Sequence, residues 1–149
     1  MTYLRLTGFL LTLALAAGCG GGDEEAAPAT TGAERASVPE WCIPANASLT
    51  APLGGAMKDA TLRLKNVQAV KSEDRDGVYF ISAEFYGEGV EARTVGTWAT
   101  TSLGGAEAIW TVDEVSKQYS DFRDGTQVAD LSMDDHGAQE SRDCVEAVR

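Results

Sequence analysis

Residues 78–86 read VYFISAEFY, and the reading of this stretch decides the fold. Six of the nine are aromatic or β-branched, the composition of a strand rather than a helix. One face carries Tyr79, Ile81, Ala83 and Phe85. The other carries Val78, Phe80, Ser82, Glu84 and Tyr86. Turn residues bracket the stretch, SEDRDG at 72–77 and GEG at 87–89. Upstream, residues 61–70 begin with Leu62 and Leu64 alternating with Arg63 and Lys65, a second strand. Downstream, residues 92–101 are rich in Thr and Val around Trp98, a third. After the turn Leu103-Gly104-Gly105, residues 106–112 place Ala108, Trp110 and Val112 on one side of a fourth. Short turns between them make an antiparallel meander.

Helices follow the strands. Asp113 is placed to cap a short helix through Tyr119, with Val115 and Tyr119 one turn apart. Ser132 is the expected N-cap of a last helix, with Asp134 and Asp135 in its first turn. There Gly137, Ser141, Cys144, Val145 and Val148 share one side and are small enough to lie close on a sheet. Ahead of the strands, Pro44, Pro52, Gly54 and Gly55 leave room only for a short helix near 53–60. Strands grouped together and then helices predict an α+β domain, a four-stranded antiparallel meander followed by two helices, over residues 41–149.

Residues 19–40 contain no Trp, Tyr, Phe, Leu or Ile and supply little core. Removing the first 40 residues from 149 leaves 109, one domain of ordinary size. The net charge of −11 argues against nucleic acid, whose binding rests on cationic side chains. A hydrophobic fraction of 44% excludes wholesale disorder. No apolar run reaches the roughly 18–20 residues needed to span a bilayer.

Residues 1–18, MTYLRLTGFLLTLALAAG, have the shape of a cleaved export signal. Arg5 supplies positive charge, and Phe9 to Ala17 form a short apolar stretch. Ala16, Ala17 and Gly18 then lead into Cys19. This stretch resembles the lipobox of bacterial lipoproteins, although Leu15 lies four residues before the cysteine where that family prefers Leu at three. The resemblance covers the first 19 residues and implies that the Cys19 thiol carries diacylglycerol. The Ala- and Gly-rich composition is similar to that of small lipoproteins of high-GC Gram-positive bacteria. Residues 19–40 are then the lipidated cysteine and a flexible linker, whose 21 residues after Cys19 span roughly 25 Å. The expected location is the extracytoplasmic face of the cell membrane.

With Cys19 assigned to lipid, Cys42 and Cys144 remain, and an oxidising compartment favours a disulfide between them. The one histidine, His136, sits in MDDHG at 133–137 and is readable as a metal ligand or general base. A solvated residue in a helix's first turn is the plainer reading. Glu73, Asp74 and Asp76 before Gly77, and Asp121, Asp124 and Asp130 around Gly125, are loose acidic loops without the spacing of a calcium hand. There is no phosphate loop, dinucleotide fingerprint, C-x-x-C or nucleophile elbow. No catalytic residue, metal site or cofactor is expected. Two faces of apolar side chains on 78–86 mean either that both are covered or that one is a contact surface. The candidate contact residues are Phe80, Phe85, Tyr86, Trp98 and Trp110, with Glu84 and Glu88 beside them to orient a cationic or hydroxylated ligand. The expected function is a membrane-anchored, non-catalytic module binding an envelope protein or small ligand. The alternative is a small envelope hydrolase using carboxylates. A two-lobed solute receptor would need a longer chain.

Overall fold

The computed structural model describes residues 37–149 apart from Ala106. The export signal, Cys19 and the linker as far as Ala36 lie outside the described residues. Residues 37–149 form an α+β fold on one six-stranded sheet, whose strand order follows the chain. Its elements are β1 (Ile43–Pro44), α1 (Ala47–Gly55), β2 (Arg63–Lys71), β3 (Tyr79–Tyr86), β4 (Val95–Thr100), β5 (Ile109–Thr111), α2 (Glu114–Tyr119), β6 (Arg123–Asp124), α3 (Gly125–Val128) and α4 (Ala138–Ala147). No helix among them is long and apolar enough to cross a membrane.

The meander β2–β3–β4–β5 is antiparallel throughout, as the alternation predicts. The expectation of four strands and two helices is too small, and the extra elements are short. β1 extends the sheet beyond β2, and β6 pairs parallel to β5 after α2 crosses over. Two residues per strand leave no alternation to read. The first helix starts at Ala47, not near residue 53, because the Asn46 side chain accepts from the Leu49 N–H at 3.1 Å. Leu49 and Leu53, one turn apart, are then both fully buried.

Both faces of the sheet are covered. On one, Ile81, Ala83, Phe85, Trp98 and Ala69 pack with Leu49 and Leu53 of α1, and Tyr119 of α2 adds its ring. A bulge in β2 sets this packing. Asn66, at a φ of 53°, and Val67 together oppose the single Ala83. The slip brings Val67 and Ala69 onto the face of Leu64. In β4, Gly96 leaves room for the Phe85 ring, since a Cβ there would lie 2.7 Å from Phe85 Cε2. The Trp98 indole donates to Ser120 Oγ at 3.0 Å, so the deepest aromatic ring keeps no orphaned N–H.

On the opposite face lies α4. Phe80, Ala99, Val112, Leu131 and Ala138 form its cluster. Ser82 Oγ lies 3.0 Å from Thr97 Oγ1 and 2.7 Å from Ser141 Oγ, and Ser141 donates to the Ala138 carbonyl. These hydroxyls satisfy one another between sheet and helix. The start of α4 is later than expected. Asp135 folds back to accept from the Ser132 N–H at 2.8 Å and from Arg75 Nε at 2.9 Å, closing turns rather than opening a helix. Gly137, at a φ of 98°, makes the entry, and its N–H donates to Glu140 Oε2 at 2.8 Å. Cys144 is joined to Cys42 by a disulfide, with the two Cα atoms 5.7 Å apart.

Candidate functional site

The aromatic contact surface expected on the sheet is not there. Phe80, Phe85 and Trp98 are core residues at 0–1% exposure, Trp110 is half-buried, and only Tyr86 is open to solvent. One helix layer on each face accounts for the two apolar faces of β3. Glu84 is no ligand anchor either: it is buried, accepting from Arg149 Nε at 3.0 Å, with Lys65 Nζ 3.3 Å away. Burial pushes the Glu84 carboxyl up, but the Arg149 and Lys65 cations outweigh it and hold the group below the ordinary glutamate value.

The concave site lies elsewhere, in a cleft of about 980 Å³ at the edge of the sheet. Three chain segments build it. The entry segment contributes Glu40 and Trp41, and β1 contributes Ile43. The end of β2 and the turn after it contribute Val70, Lys71, Ser72, Glu73, Asp74 and Asp76. The approach to α4 contributes His136, and α4 itself Glu140. Trp41 is 47% exposed, an unusual state for a tryptophan. Its neighbour Cys42 is bonded to α4, so the disulfide fixes the Trp41 backbone beside the cleft.

The turn at 72–78 is clasped to the turns before α4. Arg75 reaches across to Asp135 and to the carbonyl of Asp130. The His136 N–H donates to Asp74 Oδ2 at 3.0 Å, and the Glu73 N–H donates to His136 Nδ1 at 3.3 Å. With Nδ1 accepting, a neutral imidazole carries its proton on Nε2, which lies 3.8 Å from Glu73 Oε2 and 4.0 Å from Glu140 Oε1. His136 is thus half-buried and held at the cleft, not a solvated residue of a helix's first turn. The other acidic loop does not converge. Asp124 caps α3 through Thr126 and pairs with Lys117 at 3.3 Å, while Asp130 is exposed.

Among the described residues no group of three His, Cys, Asp or Glu side chains converges to hold a metal ion. The cleft instead carries five carboxylates around its walls against one lysine, over the apolar patch of Ile43 and Val70. Such a surface can hold a cationic group by charge and an apolar body by contact. The sequence lists all of these residues, but their union depends on contacts between positions 60 or more apart, such as Arg75 with Asp135. The available signals were an isolated Trp41 at the start of the domain and the single histidine amid carboxylates. No family model, curated protein or solved structure matches the chain.

Proposed function

We propose that the chain is a membrane-anchored extracytoplasmic lipoprotein whose domain is a non-catalytic binding module, held by lipid on Cys19. The cleft beside Trp41 carries this reading. An exposed indole lining the same cleft as apolar Ile43 and Val70, with charged groups around it, is the composition of a small-ligand site. The chemistry of the walls favours binding over turnover. The imidazole nitrogens of His136 face the Glu73 backbone and carboxylates, not a hydroxyl or thiol nucleophile. Side-chain exposure is 81% for Glu73 and 37% for Glu140, so neither carboxylate is enclosed away from water as in a closed catalytic site. The disulfide supports an oxidising compartment, consistent with export.

The test places a photoreactive aromatic at position 41 of the full chain in intact cells. The reading expects an adduct of one defined mass, lost when Glu73→Gln and Asp76→Asn are introduced together. Turnover of envelope glycan or peptide substrates by the purified protein, abolished by His136→Ala, would instead favour the carboxylate hydrolase.

A further inference from the structure

We infer that the cleft beside Trp41 takes a linear aliphatic polyamine, a small molecule with two or more ammonium groups separated by methylenes. This deepens the binding-module reading and rests on it. Charge comes first. Five carboxylates from three separate chain segments face one cleft, opposed only by Lys71. They are spread around the walls and do not converge, and no trio among the described residues is arranged for a metal ion. A ligand that matches them must therefore carry its positive charges apart, not at one point. The second consideration is the apolar part of the lining. Trp41, Ile43 and Val70 ask for hydrocarbon between those charges, and an indole face attracts ammonium directly. A hydrated inorganic cation satisfies neither demand.

Size favours a small molecule over a protein partner. The volume of about 980 Å³ lies at the upper end of small-ligand sites, which run to roughly 1,000 Å³. A protein interface buries about 800 Å² on each side. The exposed large hydrophobic residues among those described are four, Val38, Trp41, Tyr86 and Val128, and they do not belong to one stretch of chain. His136 adds the complementary wall. Its Nδ1 accepts from the Glu73 N–H, which holds the imidazole in place, and Glu140 Oε2 accepts from the Gly137 N–H, which holds that carboxylate at the cleft opposite the largely exposed Glu73.

The experiment is equilibrium binding to the full chain purified in detergent, with spermidine, 1,8-diaminooctane, 1,8-octanediol and magnesium as probes. The diamine and the diol share one methylene spine and differ in charge. The expected result is saturable 1:1 binding of spermidine and the diamine, at least tenfold weaker binding of the diol, and weakening by salt. Trp41→Ala, and separately Glu73→Gln with Asp76→Asn, should each lower spermidine affinity about tenfold or more, with Glu88→Gln unchanged. Equal binding of diol and diamine, lost in Trp41→Ala, would overturn ammonium recognition and leave the binding cleft standing. Magnesium competing at concentrations equal to spermidine would overturn the polyamine as occupant. No saturable binding of any probe would overturn the inference, and together with no adduct from position 41 it would remove the binding-module reading as well.

Discussion

Glu84 is a carboxylate on the α4 face of β3, 5% exposed and held by Arg149, Lys65 and the Asn66 amide. Its folded value lies below its unfolded one, so folding favours the ionised form. The stability it contributes is complete above the ordinary glutamate value of 4.5 and is lost as pH falls through the folded value. Glu84→Gln should therefore cost about 2 kcal/mol at neutral pH, with the Arg149 guanidinium left short of a partner. That difference should shrink in urea unfolding series taken at progressively lower acid pH, and a difference constant with pH would contradict the assignment. The aromatic residues on the same strand separate just as sharply. Phe80→Ala should destabilise by about 3–5 kcal/mol, because the void between sheet and α4 cannot collapse. Tyr86→Ala, at an exposed position, should stay within about 0.5 kcal/mol. Both apolar faces of VYFISAEFY are legible in the sequence. What covers each of them is not, because α1 and α4 arrive from opposite ends of the chain.

At the scale of elements, the joint before α4 carries the most information. Gly137 holds a φ of 98°, and a Cβ there would lie 3.1 Å from Phe80 Cδ2. Gly137→Ala should cost about 1–3 kcal/mol in a thermal or urea melt, from backbone strain and crowding together. Arg75 clasps the 72–78 turn to the turns at 130–137. Arg75→Ala should speed amide exchange at Glu73 and His136, the donors of the two backbone bonds across the cleft, while amides of β3 keep their protection. Equal acceleration in β3 would mean that Arg75 supports the fold and not the cleft. The four strand signals of the meander and the Asp113 cap could be read from sequence, because alternation and capping are local. Asp113 does accept from the Ser116 N–H at 2.7 Å. The start of α4 was not readable, since Ser132 and Asp135 look like a helix entry until Arg75, sixty residues earlier, draws Asp135 into a turn. The candidate site fails to show for the same reason: Trp41, Glu73 and His136 lie far apart in the chain, and only the tertiary clasp and the disulfide bring their segments to one cleft.

At the scale of the molecule, one disulfide joins the entry segment to the last helix across a separation of 102 residues. In the chain-entropy model such a loop is worth at most about 4–5 kcal/mol. Cys42→Ser with Cys144→Ser should lower the unfolding free energy by an amount up to this. It should also loosen Trp41, seen as a change in its fluorescence quenching beside a Trp41→Phe control. The chain's net charge of −11 gives no electrostatic attraction to anionic lipid, so on the proposed reading the lipid on Cys19 supplies the membrane attachment. Each acyl CH₂ buried contributes about 0.8 kcal/mol, and the two chains of a diacylglycerol hold a protein firmly. Cys19→Ser should leave the full chain unprocessed or move it to the soluble fraction. The most direct measurement is the intact mass and N-terminal residue of the chain recovered from the membrane fraction. The account predicts a mature chain that begins at Cys19 and carries the added mass of diacylglycerol. A chain that begins elsewhere, or one at Cys19 without lipid mass, would contradict it.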